Sequence, residues 1–93
     1  MGYIVLFSKK AEKFLKNLQI DIAKHVKEEI LTLEDLLNPK IHLKKIEGVS
    51  KKHPLYSYRI GDYRAILTFQ KDRFVIVVIE IDNRRTSYRK FQS

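Results

Sequence analysis

The chain has 93 residues, one small domain's worth, and folding buries only about 60–65% of the surface such a chain exposes when unfolded. A 44% hydrophobic and 11% aromatic composition suits a packed core and excludes a disordered tail. The 19 basic side chains outnumber 11 acidic ones, and a net charge of +8 favours polyanions as partners.

Cysteine is absent, which removes disulfides, thiolate metal sites and cysteine nucleophiles and fits a reducing, cytoplasmic setting. The longest apolar run, Val75 to Ile79, falls far short of the roughly 18 residues of a membrane helix. The first residues carry no signal-peptide pattern. The expectation is a single cytoplasmic domain over residues 1–93 with no membrane partner.

Tyr3–Phe7 is a short apolar run that reads as a buried strand, and Ser8 follows as a helix N-cap. Ala11, Phe14, Leu15 and Leu18 recur at helical spacing and predict an amphipathic helix over about 9–18. Ile22, Val26, Ile30, Leu33 and Leu37 predict a second helix from about 21 to 37, with Asp21 as a possible cap. The two helices form a hairpin with Lys and Glu on its outer faces. Residues 38–54 are a basic connector with weak order signals, where Leu43 and Ile46 are the candidate anchors.

From residue 55 the period changes to two. Leu55–Ile60 and Tyr63–Phe69 alternate around Gly61-Asp62, which has the composition of a two-residue hairpin turn. Phe74–Ile81 is nearly all apolar and β-branched, as in a central strand covered on both faces. The polar tail from Asn83 to Phe91 reads as a short helix or an extended segment. The order β-α-α-β-β-β, with a possible short C-terminal helix, predicts an α+β fold: a small antiparallel sheet of about four strands with a helical hairpin on one face.

The charge is unevenly placed. Residues 1–40 hold seven lysines against six acids, whereas residues 41–93 hold twelve basic residues against five acids. All six arginines fall between Arg59 and Arg89. Arginine's planar fork matches phosphate oxygens two at a time, so this half of the chain is the candidate phosphate reader.

A two-residue turn at Gly61-Asp62 places Ile60 opposite Tyr63, Arg59 opposite Arg64, Tyr58 opposite Ala65 and Tyr56 opposite Leu67. Tyr56, Tyr58, Ile60, Tyr63, Ala65, Leu67 and Phe69 then share a core face, and Ser57, Arg59, Arg64, Ile66 and Thr68 share the other. Two arginines facing each other cost a few tenths to about 1 kcal/mol unless an anion bridges them. Either a ligand phosphate or a local carboxylate (Asp62, Glu80 or Asp82) fills that role. If Phe74–Ile81 pairs with Tyr63–Phe69, Arg84 leaves the sheet beside the arginine pair, and Tyr88 could offer its ring to a base. Cations with an aromatic platform suit an unstacked RNA nucleotide.

Leu43-Lys44-Lys45-Ile46-Glu47-Gly48, the run from Tyr58 to Ile66 with its YRIGDYR core, and Val77 to Tyr88 with Arg84-Arg85 together resemble the RelE/ParE superfamily of toxins. The resemblance spans nearly the whole chain, is nearest to the RelE branch, and with the Lys- and Ile-rich composition looks like an archaeal member. It implies the toxin of a type II toxin–antitoxin system: a ribosome-dependent mRNA endonuclease that cuts in the A site. The 2′-hydroxyl attacks the scissile phosphate, without metal or cofactor.

By the same resemblance Arg64 matches the phosphate-stabilising arginine and Arg59 the basic position before the turn. Arg84 matches a second stabiliser or general acid, and Tyr88 the base-stacking tyrosine. Lys44, Lys45, Lys51, Lys52, Arg85 and Arg89 are the further RNA-binding candidates. The implied partners are ribosome, rRNA, mRNA and a cognate acidic, RelB-like antitoxin. One feature departs from the family: bacterial RelE-branch members carry a lysine pair before the turn, where this chain has Leu55 and Ser57. Lys51, Lys52 and His53 lie just upstream. His25, His42 and His53 have spacings that suit neither a metal site nor an acid–base pair.

Two other functions fit the same residues. One is a ParE-type gyrase inhibitor with no nuclease site; the other is a non-catalytic basic module that binds RNA or the ribosome.

Overall fold

Ile4–Phe7 forms strand β1, and the chain turns directly into helix α1, Lys9–Lys16, in a computed structural model that describes residues 2–46, 54–70 and 73–83. Ser8 is the cap expected of it: its Oγ accepts from Ala11 N–H at 3.1 Å and donates to the Ile79 carbonyl at 2.6 Å. One hydroxyl thus starts the helix and ties it to the sheet.

Helix α2 runs Ile20–Leu31 and is shorter than its apolar spacing predicts. Gln19, not Asp21, occupies the cap position, and Asp21 sits in the first turn. Beyond Leu31 the backbone tightens into a 3₁₀ turn at Thr32–Asp35, which aims Glu34 at the sheet. The Glu34 carbonyl accepts from Tyr3 N–H at 3.0 Å, and its carboxylate accepts from Val5 N–H at 2.8 Å. Glu34 thereby caps outward-facing donors of an edge strand. The approach is so close that a Cβ at Gly2 would lie 1.9 Å from the Glu34 carbonyl oxygen. Leu33 remains fully buried, but Leu37, counted on the same helical stripe, is 93% exposed.

The connector contains a second 3₁₀ turn, Pro39–His42, and a two-residue strand β2, Lys44–Lys45. Leu43 and Ile46 are half-buried anchors, and Lys40 lies 5.1 Å from the Phe69 ring centre.

Strands β3 (Tyr56–Ile60), β4 (Tyr63–Phe69) and β5 (Val75–Asn83) complete one sheet in the order β1-β5-β4-β3-β2. The α+β class and the helical hairpin on one face agree with the expectation, whereas the sheet differs in two details. Among the described residues it has five strands, and β1 pairs parallel with β5 while the other pairings are antiparallel. The reason is topological: both helices and strands β2 to β4 lie between β1 and β5 in the chain, and only a long connection brings two strands side by side in parallel.

Helix α1 packs on β5 and β1, and α2 on β3. Val5, Leu15, Val26, Ile30, Leu33, Ile60, Leu67, Ile76, Val78 and Ile81 fill the layer between helices and sheet. The buried residues of each strand thus point at the helices, and the other sheet face carries Arg59 and Arg64 together with the apolar Ile4, Leu6 and Ile66. No helix among the described residues is long and apolar enough to cross a membrane. Of the tail from Asn83 to Phe91, read as a short helix or an extended segment, Asn83 ends β5 and the rest lies outside the described residues.

Candidate functional site

The hairpin register is the one its turn demands. Arg59 pairs with Arg64, Ile60 with Tyr63, Tyr58 with Ala65 and Tyr56 with Leu67. Gly61 takes φ +57°, the left-handed geometry that a two-residue hairpin turn needs at its first position and that glycine adopts without strain. On the core side, Phe14 meets the Tyr63 ring edge-on at 6.2 Å, which fixes the hairpin end against α1. Arg59 and Arg64 therefore project together from the open face.

Strand β5 supplies the carboxylates beside them. Its pairing with β4 runs Leu67↔Val78 and then Ile66↔Glu80, so Ile79 is an extra residue, a β-bulge. An unbroken alternation from Ile76 and Val78 would turn Glu80 and Asp82 into the core. The bulge reverses the phase: Ile81 goes inside, 2% exposed, and Glu80 and Asp82 emerge on the arginine face. Asp82 sits directly opposite Arg64, and Arg64 Nη2 donates to Asp82 Oδ2 at 3.4 Å. Of the local carboxylates considered from sequence, Asp82 is thus one that meets the arginine pair. Arg64 Nε is buried with no hydrogen-bond partner among the described residues, while its side chain as a whole stays 36% exposed.

Glu80 has a different partner. Lys10, from the first turn of α1, donates to Glu80 Oε1 at 2.5 Å. That hydrogen bond, and then the Glu80 charge, raise the Lys10 pKa above its ordinary 10.5. Lys10 was not a sequence candidate. Nothing in the local pattern marks it, because its position follows from the parallel β1–β5 pairing.

Lys44 pairs with Ser57 and shares the face of Arg59, whereas Lys45 pairs with Tyr56 and lies on the helix-side face of the sheet edge. Both are exposed. Ser57 stands on the arginine face, and Leu55 precedes β3 with its carbonyl accepting from Ile46 N–H at 2.9 Å. Asn83 pairs with Tyr63, so β5 delivers the chain to the hairpin end that carries the arginines. Arg84, Arg85, Tyr88, Arg89, Lys51, Lys52 and His53 lie outside the described residues. His25 and His42 are exposed.

The described site is thus two guanidinium forks on an open sheet face, with one carboxylate on the inner fork. Such a surface can hold a phosphate by charge-assisted hydrogen bonds. The model of one family, the ParE toxin of the type II toxin–antitoxin system parDE, matches residues 5–88.

The chain belongs to this toxin family. Solved structures place it in the wider RelE/ParE superfamily. The archaeal RelE–RelB complex from Pyrococcus horikoshii OT3 is similar at 30% identity, over 90% of this chain and 97% of that one, with a TM-score of 0.65. The RelB–RelE complex from Methanococcus jannaschii is similar at 27% identity, over 92% and 98% of the two chains, with a TM-score of 0.66. The RelBE2 toxin–antitoxin complex from Mycobacterium tuberculosis shares the fold at 24% identity and a TM-score of 0.74, over 90% of this chain and 100% of that one. A search of curated protein sequences finds no match.

Proposed function

We propose that this toxin is a ribosome-dependent endoribonuclease that cuts mRNA in the A site by attack of a 2′-hydroxyl on the neighbouring phosphate. The observation that carries the reading is the Arg59–Arg64 pair on an open face, beside the point where β5 leads towards Arg84. Arg64, with Arg59, takes the charge that builds on the equatorial phosphate oxygens. Arg84 stabilises the same charge or protonates the leaving 5′-oxygen, and Tyr88 stacks on a base. Lys44, Lys45, Lys51, Lys52, Arg85 and Arg89 hold RNA. With Leu55 and Ser57 where relatives carry lysines, the site has no lysine on that strand to take the 2′-hydroxyl proton. Dependence on the ribosome follows, since the ribosome can set the in-line geometry that the protein alone does not enforce.

The proposed guardian is a cognate acidic antitoxin. The family is one of type II toxin–antitoxin systems, the similar solved toxins are RelE–RelB complexes, and a net charge of +8 favours a negatively charged partner. All of this chemistry belongs in the cytoplasm, where ribosome and mRNA meet.

The family model's ParE description and the missing lysine pair favour a second reading, a gyrase inhibitor. Mapping cuts on mRNA-programmed ribosomes separates the two. Codon-phased cuts support the nuclease; no cuts, with loss of gyrase supercoiling, supports the inhibitor. Ribosome binding with neither effect leaves a non-catalytic RNA-binding module.

A further inference from the structure

We propose that Asp82 is a built-in competitor for the anion site: it imposes the same displacement cost on every phosphate ligand, so that only a ligand with further contacts, the phosphate backbone of a single strand, occupies the arginine pair. The inference rests on the phosphate-gripping role proposed for Arg59 and Arg64.

Three observations carry it. First, Asp82 presents its carboxylate where a phosphate oxygen would sit, at 3.4 Å from Arg64 Nη2 and on the same open face as Arg59. A carboxylate and a phosphate oxygen ask the same thing of a guanidinium, so an incoming phosphate meets a site already in use. Second, the Arg64–Asp82 contact is long, and both side chains keep access to solvent, at 36% and 22% exposure for Arg64 and Asp82. Such a contact is exchangeable. Third, the fold goes out of its way to place Asp82 there, because only the bulge at Ile79 turns it out of the core.

The consequence is a threshold. A lone phosphate must draw Arg64 off Asp82 and recovers little beyond what it displaces. A strand gains further contacts from exposed Arg59 and Lys44 on the same face, and these offset the displacement. Asp82 therefore sets an affinity threshold, which a strand clears through its further contacts and a lone phosphate does not.

The test uses the full chain and a fluorescein-labelled single-stranded hexadeoxynucleotide, which lacks the 2′-hydroxyl and stays intact. Its affinity is read by anisotropy at fixed salt. Asp82→Asn keeps the side-chain shape and removes the charge; Asp82→Ala is the second variant. Asp35→Asn, at an exposed position in the 3₁₀ turn after α2, removes the same charge elsewhere.

Both Asp82 variants are expected to bind the strand roughly 1.5-fold to fivefold more tightly than Asp35→Asn, the range for removing one competing ion pair. In an Arg64→Ala background this gain is expected to vanish. Inorganic phosphate as competitor should displace the strand from Asp82→Asn at lower concentration than from wild type. Affinities of the Asp82 variants at or below that of Asp35→Asn overturn the inference, as does a gain that persists without Arg64. An Arg64→Ala protein that binds like wild type overturns instead the phosphate grip on which the inference rests.

Discussion

Arg64 and Asp82 face each other across β4 and β5, with Arg64 Nη2 3.4 Å from Asp82 Oδ2, and Arg59 stands on the other side of Arg64. One guanidinium therefore lies between a like charge and an opposite one. Asp82 offsets the repulsion that the hairpin register imposes on the two arginines. The arrangement depends on the bulge at Ile79, and the bulge has a measurable signature.

Ile81 lies in the core and Ile79, the extra residue, is only half-buried. Ile81→Ala is expected to cost about 3 kcal/mol and Ile79→Ala about 1 kcal/mol in urea denaturation. Equal costs, or the reverse order, would contradict the phase change on which the placement of Asp82 depends.

Ser8 both caps α1 and donates to the Ile79 carbonyl. Ser8→Ala should destabilise the protein by about 1–2 kcal/mol, more than Ser8→Gly costs at an ordinary cap of a few tenths. Thermal or chemical unfolding of the two variants makes the comparison.

Glu34 closes the outer edge of β1 through its carbonyl and carboxylate. Glu34→Ala leaves the Val5 N–H without its acceptor and should cost about 1–3 kcal/mol. Glu34→Gln keeps an acceptor oxygen and should cost less. Light scattering on heating should show Glu34→Ala aggregating before Glu34→Gln, because an open strand edge is a template for pairing with other chains.

The Lys10–Glu80 pair predicts a dependence on alkaline pH. The folded Lys10 pKa is raised above 10.5, so its contribution is fully present below that value. It is lost as pH rises through the raised folded value. Unfolding midpoints of wild type and Lys10→Met should differ at neutral pH and converge as pH is taken above 10.5. A difference that persists in strong alkali would contradict the pair.

Much of this was legible in the residues because local rules left little choice. Gly61-Asp62 admits one tight turn, and that turn sets Arg59 against Arg64 before any tertiary contact is known. The Ser8 cap was readable for the same reason. The length of α2 was not: Leu33 and Leu37 continue its apolar stripe, yet the demand of the β1 edge for Glu34 ends the helix at Leu31. Nor was the phase of β5, since Val75 to Ile79 offers no polar residue from which to read a face. A bulge inside a uniformly apolar strand leaves no local trace. The acidic partner of Arg64 could therefore be narrowed to three residues but not chosen among them.

The most direct test of the central claim is the single-turnover rate of mRNA cleavage on programmed ribosomes, wild type against Arg64→Ala. Circular dichroism and binding to the ribosome confirm that the variant is intact. The expected result is A-site cuts by wild type, slowed about 100- to 1,000-fold in the variant, the loss seen when one stabiliser of transition-state charge is removed. An Arg64→Ala protein that cuts at the wild-type rate, or a wild-type protein that cuts nothing, would contradict it.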